Sequence, residues 1–277
     1  MLERIQKYRR DLHQIPELEL ELPKTQRYLQ EALRDLPCTL SSPIPSSVVA
    51  FFDAGKKESI AFRSDMDALP VTEATGRAFA SRHTGCMHAC GHDGHMAMLL
   101  EFAHQLSAYY KELPHNVVLI FQPGEETPGG AEPMCKSGIF EQYHIKRIFG
   151  FHVWPMLGKG VIATRRNEFM ARSSEVNIDI TGKSAHAAKY QEGIDAMEIA
   201  ARYLLDLYTM EQEELSAETY RLLRFGLLKS GTVRNVVSNA ARMEGTLRAF
   251  QDETYQYMKK RMLELAKPYE EQGAVFS

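Results

Sequence analysis

The chain reads as an α/β protein: a mostly parallel mixed sheet flanked by helices, followed by a smaller α+β unit of ferredoxin-like order. Three observations predict this. Up to residue 151, short apolar runs alternate with helical patterns, the signature of a largely parallel sheet. From Arg172 the order becomes β-α-β-β-α, which a fourth strand would complete as a split βαβ sandwich. Finally, acidic residues, cysteine and histidine gather just past the ends of the apolar runs, where open sheets of this kind collect ligands.

The elements follow in order. Residues 2–15 carry apolar side chains at helical spacing (Leu2, Ile5, Leu12, Ile15), and Pro16 ends the pattern. Pro23 to Leu36 reads as a second helix. Ser46 to Ala54 and Ser59 to Ser64 read as neighbouring strands separated by Gly55-Lys56-Lys57, the second delivering Asp65-Met66-Asp67. His92 to Leu113 is the clearest helix, with Met96, Leu99, Ala103 and Leu106 on one face. Val117 to Phe121 and Ile148 to Phe151 read as buried strands around a helix near Ala131 to Ile139. Beyond them, Val176, Ile178 and Ile180 alternate with polar residues as a half-buried strand. Gly193 to Leu207 is a helix, Tyr220 to Leu228 and Ala241 to Phe250 are strands, and Glu253 to Ala266 is a helix. Val275-Phe276 begins the fourth strand. The expected domains are 1–172 and 173–277.

Composition narrows the function. A chain of 277 residues with net charge −3 and 44% apolar content can bury a large core. Without a basic run, nucleic acid is not an expected partner. No run of about eighteen apolar residues could span a membrane, and the amphipathic start at Met1 lacks a signal peptide's apolar segment. Four cysteines are too few for a disulfide scaffold, so a cytoplasmic location with free thiols is expected.

The most informative stretch is Met87-His88-Ala89-Cys90-Gly91-His92-Asp93-Gly94-His95. Thiolate, imidazole and carboxylate together suit a transition metal. A lone buried Cys or His is more often core than ligand. Here two further strand ends agree with the metal reading. One run ends in Gln122-Pro123-Gly124-Glu125-Glu126, and another in His152. Adjacent carboxylates at the end of a buried strand are costly unless a cation or proton neutralises them. As neighbours their side chains should diverge, so that one binds metal and the other serves as general base towards a metal-activated water. His88 and His95 are left outside the ligand set, as equally suited to packing. Asp65 and Asp67, two apart, should point the same way, one of them orienting a ligand histidine. Gly182-Lys183-Ser184 is not a phosphate loop, because the earlier glycine that such a loop needs is Asn177 here.

Together these segments resemble the dinuclear-metal amidohydrolases that include aminoacylases, hippurate hydrolases, N-acetyl-diaminopimelate deacetylases and auxin-conjugate hydrolases. The matching pieces are Arg9-Arg10-Asp11-Leu12-His13 with Pro16-Glu17, Arg63 to Pro70, His88 to Asp93, Gln122 to Glu126 and Gly150 to Val153. Further on they are Gly182 to Ala188, Gly231 to Val237 and Glu244 to Arg248. The resemblance implies a phosphorylase/hydrolase-like catalytic domain with an inserted lid that forms a homodimer. It implies two divalent ions (Mn, Zn or Co), with Cys90 bridging them, His92 and His152 on one, and Glu126 on the other. Glu125 would be the general base and Asp67 would orient the cluster. His186 would stabilise the oxyanion, while Asn235 and, more weakly, Arg248 would hold the substrate carboxylate. The implied reaction is hydrolysis of the amide of a small N-acyl amino acid. The family's chain also returns from the lid with a last metal-binding histidine, which these 277 residues do not contain. That leaves two rival expectations: a truncated, non-catalytic remnant that binds one metal or dimerises, and an exopeptidase acting on dipeptides.

Overall fold

The computed structural model describes residues 1–277. Its contacts divide the chain into two compact units, Met1–Gly160 and Val161–Ser277. The sequence reading placed the division at 172/173. Residues 161–171 form no helix or strand and cluster with the second unit.

In the first unit, α1 (Leu2–His13) buries Leu12 and His13. Helix α2 (Pro23–Leu33) starts on a proline, and the Glu17 carboxylate accepts from the free N–H groups of Lys24 and Thr25 at 3.0 and 2.9 Å. Strands β1 (Thr39–Ser41), β2 (Val48–Phe52) and β3 (Ser59–Asp65) lead to α3 (His92–Ser107). A 3-10 turn at Tyr110–Glu112 follows, so the long helix expected to Leu113 ends six residues early. Strand β4 (Asn116–Gln122), the short helices α4 (Ala131–Lys136) and α5 (Ile139–Gln142), and β5 (Ile145–Gly150) complete the unit.

The sheet order is β1-β2-β4-β3-β5. Strand β3 runs parallel to β4 and β5, whereas β2 is antiparallel to β1 and β4. Two expectations are corrected here. The runs at 46–54 and 59–64 are not paired neighbours, because β4 lies between them. Nor is β5 buried: it is an edge strand paired only with β3, and Ile148 and Phe149 are each 47% exposed. An apolar run alone cannot tell an edge from a centre.

Strand β4 is the centre, with all seven residues buried. Its alternation splits the core in two. Val117, Leu119 and Phe121 pack with Leu12, Leu29, Met96 and Leu100 on the face covered by α1, α2 and α3. Val118 and Ile120 pack with Val49, Ala61, Met134 and Ile139 on the other. In register, Asp65 stands opposite Gln122 and Arg63 opposite Gly150, which aligns the carboxyl ends of the three parallel strands.

The second unit holds β6 (Arg172–Thr181), α6 (Ala196–Glu213), β7 (Arg221–Ser230), β8 (Ala240–Ala249), α7 (Asp252–Glu270) and β9 (Val275–Phe276). The antiparallel order β7-β8-β6-β9 is the ferredoxin-like arrangement, and the expected fourth strand is present as β9 pairing with β6. Its core joins Ile178, Ile180, Met243 and Leu247 of the sheet to Ile199, Tyr203, Leu207 and Met258 of the helices. No helix of the chain is long and apolar enough to cross a membrane.

Candidate metal centre

The candidate site lies at the carboxyl ends of β3, β4 and β5, beside the first turn of α3. Gly91 caps that helix with φ +93°, and a Cβ there would meet Val153 Cγ2 at 2.6 Å. Only glycine fits between Cys90 and His92.

His92 is fully buried. Its Nδ1–H donates to the main-chain carbonyl of Asp67 at 2.8 Å, so the lone pair sits on Nε2, which is buried without a hydrogen-bond partner. Three carboxylate oxygens surround that nitrogen: Asp65 Oδ2 at 3.7 Å, Glu126 Oε1 at 3.8 Å and Glu125 Oε2 at 3.9 Å. His152 follows the same logic. Its Nδ1–H donates to the Val153 carbonyl at 2.7 Å, and its Nε2 lies 3.3 Å from Cys90 Sγ. Donor atoms therefore converge in three groups that share His92: Cys90, His92 and His152; His92, Glu125 and Glu126; and Asp65, His92 and His95, each within 4.8 Å mutually. An orphaned buried imidazole nitrogen facing thiol, imidazole and carboxylates fits a divalent transition metal. The thiol alone fits the surroundings poorly. Burial first, then the Glu126 and Glu125 carboxylates, push Cys90 up to about 12. A cation reverses that electrostatic logic.

The two glutamates do not diverge as expected. Gly124 at φ +65° opens a turn, and Asp67 clamps it from below. Its Oδ1 accepts from Glu125 N–H at 2.8 Å and its Oδ2 from Glu126 N–H at 2.9 Å. In a turn, unlike a strand, successive side chains can face one point, and both do. Burial and the neighbouring Glu126 charge raise the Glu125 carboxyl. Asp67 thus orients the histidine with its main-chain carbonyl and the turn with its carboxylate.

Asp65 flanks the same His92 ring as Asp67 but takes other partners. Its Oδ1 accepts from His95 Nδ1 at 2.6 Å and its Oδ2 from Arg63 at 2.9 Å. Burial would raise this carboxyl, but the His95 hydrogen bond and the His92 and Arg63 charges hold it at about 2. His88 is buried with neither ring nitrogen partnered. Burial lowers it to about 4, and its ring lies 6.4 Å from that of His13.

Sequence reasoning missed a buried anchor beside the site. The Asp93 carboxylate accepts from Arg9 Nε at 2.9 Å and His13 Nδ1 at 2.7 Å, tying α1 to the start of α3. An acid directly after a candidate ligand, in the first turn of a buried helix, was the available signal.

The remaining predicted residues lie in the second unit. His186 and Asn235 are neighbours: His186 bridges Val236, and Ala187 N–H donates to the Asn235 carbonyl at 2.9 Å. Arg248 is not brought to them. It sits opposite Ser173 at the far end of β8 from Ala240, roughly 25 Å along the strand at about 3.3 Å per residue.

A sheet presenting Cys, His and paired Glu at its strand ends, together with a ferredoxin-like unit, defines a metallohydrolase-type architecture. Comparison with known proteins makes it specific. The model of peptidase family M20/M25/M40 matches residues 61–256. The chain is 37% identical over 268 residues to an uncharacterised hydrolase of Staphylococcus epidermidis, covering 96% of this chain and 70% of that protein. It is 36% identical to an N-acetyldiaminopimelate deacetylase of Lacticaseibacillus casei, covering 93% and 68%. Among solved structures, the Bacillus subtilis YXEP protein, a dinuclear metal binding peptidase of family M20, superposes with a TM-score of 0.81. The identity is 31%, over 99% of this chain and 72% of that one. The chain belongs to peptidase family M20/M25/M40, and it is a hydrolase of the amidohydrolase kind.

Proposed function

We propose that the chain carries the metal centre of a deacylase that hydrolyses the amide bond of small N-acyl amino acids. The observation that carries this reading is the unpartnered, buried Nε2 of His92, common to the Cys90–His152 and Glu125–Glu126 donor groups. Cys90, His92, His152 and Glu126 hold the metal, with zinc, manganese or cobalt all compatible with the donor set. Such an ion polarises an amide carbonyl and acidifies water. Glu125 is the general base: its side chain is 42% exposed, so it can reach both a water and a departing amine while still facing His92. Asp67 keeps Glu125 and Glu126 on one point. His186 stabilises the developing oxyanion, and Asn235 binds the substrate carboxylate. Arg248 is set apart from that pair.

The second unit, 173–277 in the sequence reading, serves as lid and as the pairing surface of a homodimer. The free cysteines accord with a cytoplasmic enzyme. Deacylation is favoured over dipeptide cleavage because a deacetylase stands among the relatives.

The test is metal content per chain together with hydrolysis of N-acetyl and N-benzoyl amino acids, beside a dipeptide panel, after zinc or manganese loading. Turnover of acylated amino acids in preference to dipeptides is expected. Metal-loaded protein without turnover of any acylated amino acid would overturn the deacylase reading, and dipeptide preference would replace it with an exopeptidase.

A further inference from the structure

His152 is an exposed member of the donor set, and from Phe151 to Gly160 the chain has no helix or strand. Something must hold this histidine to the buried ones. The main-chain N–H of Val153 donates to His95 Nε2 at 2.9 Å. An amide N–H can only donate, so His95 Nε2 carries the lone pair and Nδ1 the proton. That proton is given to Asp65 Oδ1 at 2.6 Å, and Asp65 is held in turn by Arg63, whose Nε donates to Gln122 at 3.0 Å. At the other end, the Val153 carbonyl accepts from His152 Nδ1–H. His95 and Asp65 are both almost completely buried.

We propose that Asp65 and His95 are positioning residues. They hold the Val153 peptide, and through its carbonyl they fix the ring of His152 with Nε2 towards Cys90. This rests on reading His152 as a metal ligand. Geometry alone groups Asp65, His92 and His95 as a third set of possible ligands. The hydrogen bonding argues otherwise, because both ring nitrogens of His95 are already engaged. Gly91 belongs to the same device, since Val153 packs where its Cβ would be.

The test compares cobalt binding by the unaltered chain, His95→Ala and His95→Gln. Equilibrium dialysis gives affinity, thiolate-to-cobalt absorption reports Cys90 ligation, and far-UV circular dichroism reports folding. His95→Ala should weaken binding about 10- to 100-fold, the usual effect of losing an outer hydrogen-bond partner. His95→Gln offers an amide oxygen to Val153 N–H and should recover most of that loss. Unchanged affinity in His95→Ala overturns the proposal. Complete loss of cobalt in both variants also overturns it, by making His95 a ligand. If His95→Ala does not fold, His95→Gln decides: affinity within about tenfold of the unaltered chain is expected, and abolished binding refutes the tether. Failure of the unaltered chain to bind cobalt would instead overturn the metal-centre reading, and this inference with it.

Discussion

Replacing Asp67 by Asn removes a charge and keeps the shape. In the native turn the carboxylate, fully buried, accepts one N–H from Glu125 and one from Glu126. An amide side chain can accept only one of these and presents an NH₂ group to the other. The lost charged hydrogen bond costs about 1.5–3 kcal/mol, and the surviving one drops towards about 1 kcal/mol. The turn therefore loses about 2–4 kcal/mol of preference for the arrangement that aims both glutamates at His92. Residues 125–129 are exposed, so the unbound turn can relax into water and the loss appears mainly on metal binding. The expected outcome is about 30- to 700-fold weaker metal affinity at the glutamate side, at 1.4 kcal/mol per tenfold. The metal-free chain should melt nearly as before. His92 should keep its tautomer, because Asp67 holds it through a main-chain carbonyl that the substitution does not touch. Competition with a chromophoric chelator measures the affinity, and a thermal melt the stability. Binding within about threefold of the unaltered chain would refute the clamp.

Glu125→Gln should retain metal and lower kcat by about 10²–10⁴-fold, the contribution typical of a general base; turnover at the original rate removes Glu125 from that role. Gly91→Ala should destabilise by about 1–3 kcal/mol, because it adds a Cβ at φ +93° and at 2.6 Å from Val153, and a denaturant midpoint at the native value would contradict the packing. Arg4 and Gln105 hydrogen bonds hold Glu101 at about 2, below its ordinary 4.5. A lowered folded-state pKa gives stability that is present above about pH 4.5 and lost as pH falls towards about 2. With Arg4 partly in water, that stability is about 1–2 kcal/mol after screening. Glu101→Gln should therefore be less stable than the native chain at neutral pH, with the gap closing between about pH 4.5 and 2, and a pH-independent gap in paired melts would count against the ion pair.

Most elements were legible because periodicity is a local property. The Met96-to-Leu106 stripe gives α3, and Val176, Ile178 and Ile180 give β6. Pairing is not local. Nothing in the runs at 46–54 and 59–64 announces that β4 inserts between them, or that β5 is an edge. The site was legible at the level of residue type, since Cys90, His92, Glu125, Glu126 and His152 all arrive at one place. What escaped were directions. Glu125 and Glu126 were expected to diverge on strand geometry, but the chain there is a turn pinned by Asp67. Asp65 and Asp67 both flank the His92 ring, but their hydrogen-bond partners, His95 and Arg63 for one and the glutamate turn for the other, were not legible. Arg248, grouped with Asn235 by resemblance alone, stands at the other end of β8.

The tautomers of the donor histidines show what the rest of the unit contributes to the centre. A histidine offers a metal one nitrogen only if the other gives its proton elsewhere. For His92 that acceptor is the carbonyl of Asp67, whose place is fixed by β3 just before it and by the neighbouring Ala68 N–H, which donates to the Glu17 carbonyl at 2.8 Å. For His152 the acceptor is the Val153 carbonyl, on a segment without helix or strand, so it needs the buried His95–Asp65 pair to be held still. The two candidate ligand nitrogens are thus prepared by main-chain oxygens rather than by carboxylates. That leaves the side chains of Asp67, Glu125 and Glu126 free of tautomer duty. Asp67 can spend its carboxylate on the glutamate turn, and Glu125 and Glu126 can keep theirs facing the site. Substituting Asp67, Glu125 or Glu126 should therefore alter geometry or proton transfer while both histidines continue to present Nε2.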